Sequence, residues 1–207
     1  MPEQTGDVSN ADKQQAASTP EHAAYGEIPL NPEQTHALGL VLATRLRQPL
    51  HEISEALPTI DPEFRDDLIT ADKRIRYLLG QLVQNRTLAL KVDRSWYDFS
   101  LPTQEAEEFD KAPVDIDALA EEKLPEGSIV IPSTVTFQLG QALAHRFNQP
   151  INLLYGYSQM LENQQMKAAT EAVSNTLKPL FMRENQQPRS IELFTNSQGQ
   201  TSMRISS

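Results

Sequence analysis

The chain has 207 residues, enough for one ordinary domain or two small ones. It contains no cysteine, which excludes disulfides and thiolate metal sites and is typical of a reducing compartment. Its net charge of −10 argues against a general nucleic-acid binder, which would use Lys and Arg to neutralise phosphates.

The first half of the chain predicts a tail followed by a helical hairpin. Residues 1–30 lack a sustained apolar period, so we expect them to be disordered. From Pro32 an apolar residue recurs every three or four positions, which predicts a helix. The "LPTIDP" stretch ends it, and Asp61 before a proline is a good N-cap for a second helix. Because the break is short, residues 31–92 should form an antiparallel hairpin.

The middle of the chain is acidic and rich in proline. Residues 93–132 contain four prolines. Nine acidic residues and two lysines lie between Glu105 and Glu126, a balance of −7. This composition is typical of a solvated linker. Within it, "SWYDF" and "DIDALA" are expected to dock locally.

The second half predicts another hairpin, over residues 133–187. Ser133 or Thr134 should cap a third helix, which again carries an apolar stripe. A fourth helix should run from about residue 166 to 184, although Pro179 within it removes a backbone donor.

Residues 188–207 form a tail with alternating apolar positions. Ile191 and Leu193 precede a turn at residues 196–200, and Met203 and Ile205 follow it. This alternation predicts a short β-hairpin.

An internal repeat relates the two predicted helical hairpins. A shift of 101 positions aligns residues 35–50 with residues 136–151, and eight of the sixteen aligned residues are identical. The apolar stripes of the two segments also coincide. We therefore expect a duplicated hairpin and an all-α fold, in which one chain forms a four-helix bundle, a monomeric pseudo-dimer.

The segment "HRFNQPINLLYGYSQML", which begins at His145, resembles the H-box of sensor histidine kinases. That motif lies in the first helix of their dimerisation and histidine-phosphotransfer domain. The match covers about twenty residues closely, in the following positions: His145, Phe147, Asn148, Gln149, Pro150, Ile151, Gly156, Tyr157 and Leu161.

His145 is the candidate phosphoacceptor, supported by Asn148 and Gln149. It lies two residues from each of Leu143 and Phe147 in the stripe, so it should face water. An exposed imidazole can attack phosphorus and hold the phosphoryl group covalently. The two amides can orient water or stabilise phosphoryl oxygens.

Three departures from the family argue against kinase activity. Arg146 stands where the family has an acid that accepts a proton during attack on ATP. The first copy has Thr44 in place of the histidine. No ATP-binding domain is expected, because only about twenty residues follow the fourth helix and none of the eight glycines has G-x-G spacing. We therefore expect no autonomous kinase and no cofactor, and the spacing of the other histidines suggests no metal site.

Two classes of function remain open. The resemblance implies two-component signalling, with His145 as a phosphotransfer intermediate or the bundle as a non-catalytic regulator. The partner would then be a response-regulator receiver domain or a sensor histidine kinase. The alternative is a structural or adaptor bundle without phosphoryl chemistry. Neither a membrane span nor a signal peptide is expected, which favours the cytoplasm.

Overall fold

The computed structural model describes residues 30–84, 114–181 and 189–206. These residues are mostly helical, with a small antiparallel sheet. In chain order the elements are α1 (Pro32–Ala56), α2 (Pro62–Val83), α3 (Ile116–Glu121), β1 (Ser128–Ile131), α4 (Ser133–Met160), α5 (Gln164–Leu177), β2 (Ser190–Thr195) and β3 (Thr201–Ser206). The predicted N-terminal tail, "SWYDF" and the extension of the second helix to residue 92 lie outside the described residues.

The first two helices are capped by side chains, which sets their boundaries. The Asn31 side chain accepts from the Gln34 N–H at 2.8 Å, and the Gln34 side chain accepts from the Asn31 N–H at 3.1 Å. This capping box starts α1. A 3-10 turn, Leu57–Thr59, separates α1 from α2. The predicted cap of α2 is confirmed, because Asp61 accepts from the Glu63 N–H at 3.0 Å.

Two predicted boundaries of the later helices are wrong. Pro132 is the N-cap of α4, so Ser133 and Thr134 lie inside the helix rather than at its cap. The last helix, α5, ends at Leu177 and does not continue through Pro179. Since proline lacks an N–H and its ring obstructs the preceding turn, the chain passes through Pro179 in a 3-10 turn instead.

The four long helices share one core. α1 contacts α2 and α5, α2 also contacts α4, and α4 also contacts α5. The ten apolar residues that the repeat aligns are at most 5% exposed: Leu38 and Leu139, Leu42 and Leu143, Leu46 and Phe147, Leu50 and Ile151, Ile53 and Leu154. The apolar faces predicted from the sequence therefore pack together.

The C-terminal hairpin is confirmed, and a third strand joins it. β2 and β3 pair antiparallel around the turn. β2 also pairs with β1, with Ile131 opposite Ile191. The strand β1 and the helix α3 both lie in the segment predicted to be a linker. The "DIDALA" segment forms α3, which docks on α1 and buries Ile116 to 2% exposure.

Candidate functional site

His145 lies on the outer face of α4. Leu143 and Phe147, two residues away on either side, are completely buried, so the imidazole points away from the core. Asn148 is exposed on the same outer face of α4, and Gln149 beside it is half-buried. The three predicted site residues therefore lie within about one helical turn of each other.

The surroundings of His145 favour its neutral form. Partial burial of the ring lowers the pKa of His145, and the positive charges of Arg146 and Arg74 lower it further. The free imidazole has a pKa near neutrality, so this lowered pKa leaves the ring uncharged at physiological pH. A neutral ring keeps one unprotonated nitrogen, and this nitrogen is the atom that can act as a nucleophile.

Arg74 belongs to α2, and contacts between α2 and α4 explain how its charge acts on His145. The Tyr157 hydroxyl donates to Asp67 Oδ2 at 2.8 Å. The C-terminal end of α4 thus meets the N-terminal end of α2, so the two packed helices are antiparallel. Counted from this contact, Arg74 and His145 differ by about 8 Å along the helix axes. A long arginine side chain and an imidazole span that separation.

A buried proline lies inside each of the two longest helices. Pro49 in α1 and Pro150 in α4 occupy aligned positions of the repeat. Each lacks an N–H and therefore leaves a carbonyl one turn earlier without its helical donor. Because the aligned segment of α1, which has no histidine, contains the same proline, the proline is consistent with helix geometry alone as well as with phosphoryl chemistry.

The position of α1 that aligns with His145 is covered. Thr44 donates to the Leu40 carbonyl at 2.9 Å and accepts from the Thr201 hydroxyl of β3 at 2.9 Å. The neighbouring Arg45 reaches the Met203 carbonyl at 3.4 Å. The alternation of apolar residues in the C-terminal tail predicted the hairpin of β2 and β3, but it did not predict that this hairpin packs against α1.

The helix α3 covers the next turns of the same face. Asp117 forms an ion pair with Arg47, and the His51 Nε2 atom lies 3.0 Å from Asp117 Oδ1. The hydrogen bond from His51 is the main cause that lowers the pKa of Asp117, and Arg47 adds to it. Asp117 thus holds α3 against α1 through one carboxylate.

A polar cluster between α1 and α2 was not foreseen from the sequence. The Arg76 guanidinium donates to Asp72 Oδ2, to the Leu50 carbonyl and to the Ser54 hydroxyl, each at 2.8 Å. Burial raises the pKa of Asp72, while the hydrogen bond from Arg76 opposes the rise. The signal available in the sequence was an Asp and an Arg four residues apart, which is equally typical of an exposed helix face.

The described residues contain no group of three or more His, Asp or Glu side chains placed to hold a metal ion. Their helices include none with the length and apolar character needed to cross a membrane. Comparison of the chain with protein families, with curated proteins and with solved structures finds no match.

Proposed function

We propose that the chain is a two-component signalling protein in which His145 carries a phosphoryl group between a kinase and a receiver domain. The observation that carries this proposal is the H-box-like segment, whose histidine lies exposed on α4 with a lowered pKa. No kinase activity is part of the proposal, since the chain depends on a partner for the phosphoryl group.

The architecture proposed with it is a four-helix bundle made of two duplicated hairpins. Each long helix contacts two others, in the closed order α1, α2, α4, α5 and back to α1. The aligned apolar residues of both copies are buried in the same core. Such a bundle reproduces within one chain what two hairpins from separate chains would otherwise form.

The proposed transfer needs few groups from this chain. The unprotonated nitrogen of His145 attacks the phosphorus of a receiver's aspartyl phosphate. A P–N bond forms, the P–O bond to the aspartate breaks, and the carboxylate leaves with the bonding electrons. Arg146 and Arg74 supply positive charge for the phosphoryl oxygens, which charge-assisted hydrogen bonds stabilise. Transfer in the opposite direction reverses these steps.

The test uses two phosphoryl donors, potassium phosphoramidate and phosphorylated receiver domains. With phosphoramidate, attack by His145 expels ammonia, so a kinase is not required. We expect one acid-labile, base-stable phosphate per chain, detected by ³¹P NMR and located by mass spectrometry at His145. It should be absent in His145→Gln and unchanged in Thr44→Ala. Label that persists in His145→Gln, or a wild type that neither donor labels, would overturn the proposal and favour an adaptor.

Two simpler measurements test its other parts. Light scattering should give a monomer near the 23.2 kDa mass of the chain, because one chain supplies all four helices. Incubation with labelled ATP and Mg²⁺ should leave the purified protein unlabelled. ATP-derived label that disappears in His145→Ala would show that the chain is a kinase after all.

A further inference from the structure

The strand β3 is one edge of the sheet, because the strands lie in the order β1, β2, β3. In an antiparallel pair, opposite residues alternate between those that exchange backbone hydrogen bonds and those whose backbone groups point away. The turn fixes this alternation, since the Asn196 N–H donates to the Gln200 carbonyl at 2.8 Å. Counted along the register from this bonded pair, Thr201, Met203 and Ile205 turn their N–H and C=O groups away from β2. The outer edge of β3 is therefore a row of outward backbone donors and acceptors.

A contact from α1 confirms the direction of these backbone groups. The Arg45 guanidinium donates to the Met203 carbonyl at 3.4 Å, so this carbonyl points away from β2. Within residues 30–84, 114–181 and 189–206, no other hydrogen bond reaches the outward backbone groups of β3. The side chains of Met203 and Ile205 on the face that packs on the helices are only half-buried. A strand added alongside β3 would satisfy the outward groups and bury more of these two side chains.

The opposite edge of the sheet, at β1, is less suited to pairing. β1 has four residues, whereas β3 has six. The Val130 carbonyl of β1 accepts from the Gln34 side chain at 2.7 Å, a much shorter bond than the one from Arg45 to Met203. Both donors belong to α1, which contacts all three strands and reaches the two edges from below. The edge at β3 is therefore the longer and the less covered of the two.

Charge decides which kind of strand the β3 edge accepts. Arg45 is exposed, and among the residues that the structure describes its one hydrogen bond is to Met203. If β3 paired with β3 of a second copy in the register centred on Met203, the two Arg45 side chains would meet at the symmetry axis. Like charges there oppose such a pairing, whereas a carboxylate on the added strand would bind the guanidinium. The edge thus disfavours a second copy and favours an acidic strand.

We propose that the outer edge of β3 is a docking site for an extended acidic segment of a partner protein, which adds a fourth strand to the sheet. The outward backbone groups of Thr201, Met203 and Ile205 hold the added strand by hydrogen bonds. Arg45 binds a carboxylate on the face of that strand that lies toward the helices. The site goes beyond the proposed phosphotransfer and involves none of its residues.

The experiment titrates the full chain with a short capped peptide in which valine and threonine alternate around one glutamate. Backbone amides are followed by NMR. Hydrogen exchange should slow at the amides of Thr201, Met203 and Ile205, whereas the amides of the two residues between them, which already bond to β2, should change little. The same peptide with N-methylated backbone nitrogens should not bind. Replacing its glutamate by lysine should weaken binding about tenfold, because an attractive contact with Arg45 becomes a repulsive one.

Arg45→Glu should reverse the preference, so that the lysine peptide binds more tightly than the glutamate peptide. The matched control is Lys73→Glu, which makes the same change of charge at an exposed position of α2 and should keep the preference for glutamate. Circular dichroism verifies that both variants fold. A glutamate peptide that protects none of the three edge amides, or that binds Arg45→Glu as tightly as the wild type, would overturn the proposal. Edge amides that become protected through self-association of the chain would assign the edge to a second copy and overturn it as well.

Discussion

The variant Arg76→Met should lower the free energy of unfolding by about 3 to 5 kcal/mol at pH 7. In the wild type the guanidinium binds Asp72 Oδ2, the Leu50 carbonyl and the Ser54 hydroxyl, each at 2.8 Å. The Asp72 side chain is only 8% exposed. Methionine fills a similar volume but leaves an ionised carboxylate buried without its cation, and that uncompensated charge causes the loss.

The loss can be read from thermal and urea unfolding followed by circular dichroism. For a chain of this size, the melting temperature should fall by about 6 to 20 °C. The double variant Asp72→Leu, Arg76→Met should recover most of the loss, since it removes the stranded charge as well. A double-mutant cycle with Asp72→Leu then isolates the coupling between the two side chains.

The stability lost in Arg76→Met should depend on pH in a defined direction. Burial raises the pKa of Asp72 above its unfolded value, so the folded state binds a proton more readily than the unfolded state does. This group therefore stabilises the fold as pH falls through the folded pKa, and the contribution is lost as pH rises. Without Arg76 the pKa should rise further, so the deficit of Arg76→Met should shrink on acidification. A loss below about 1 kcal/mol, typical of an exposed ion pair, or a loss independent of pH would refute this reasoning.

Gly39→Ala should destabilise the protein by about 1 to 3 kcal/mol, because a Cβ there would lie 2.7 Å from a backbone nitrogen of α2. Gly156→Ala should instead stabilise the protein by about 0.5 to 1 kcal/mol, since no atom lies within 4 Å of a Cβ at that helical position. Urea unfolding measures both glycine variants, and equal effects would contradict the packing described. Asp117→Asn should speed amide hydrogen exchange in α3. The wild type should show the same loosening as pH falls through the lowered pKa of Asp117, because a carboxylate with a depressed pKa contributes stability only above that pKa. Arg74→Gln should raise the pKa of His145, measured by an NMR titration of the imidazole protons, and an unchanged pKa would show that the two side chains are not close.

Local patterns were sufficient to predict the helical part of the fold. Apolar residues spaced by three or four positions identify a buried helix face whatever packs against it, so both stripes are buried as expected. The same argument placed His145 at the surface, because its position relative to Leu143 and Phe147 depends only on helix geometry. Its lowered pKa could not be anticipated in full, since Arg74 approaches through the packing of α2 on α4.

Apart from the two helix boundaries, the features that the sequence analysis missed depend on distant partners. β1 has four residues, too few for a recognisable alternation, and its partner strand begins at Ser190. Proline content and acidity made residues 93–132 resemble a linker, although Ile116 and Ile131 are core residues. The contact of Thr44 with β3 could not be predicted, because no local pattern encodes where the C-terminal hairpin packs.

The order in which contacts can form places the sheet late in the folding of this protein. Each helical hairpin closes over a short turn, whereas pairing Ile131 with Ile191 closes a loop of 60 residues. The hydrogen bond between Thr44 and Thr201 spans 157 residues. During synthesis β2 and β3 leave the ribosome after all four long helices, and domains generally fold from the N-terminal side first. The helices can therefore assemble while the α1 face around Thr44 is still bare, and this face should stay accessible in a nascent chain until β3 reaches it.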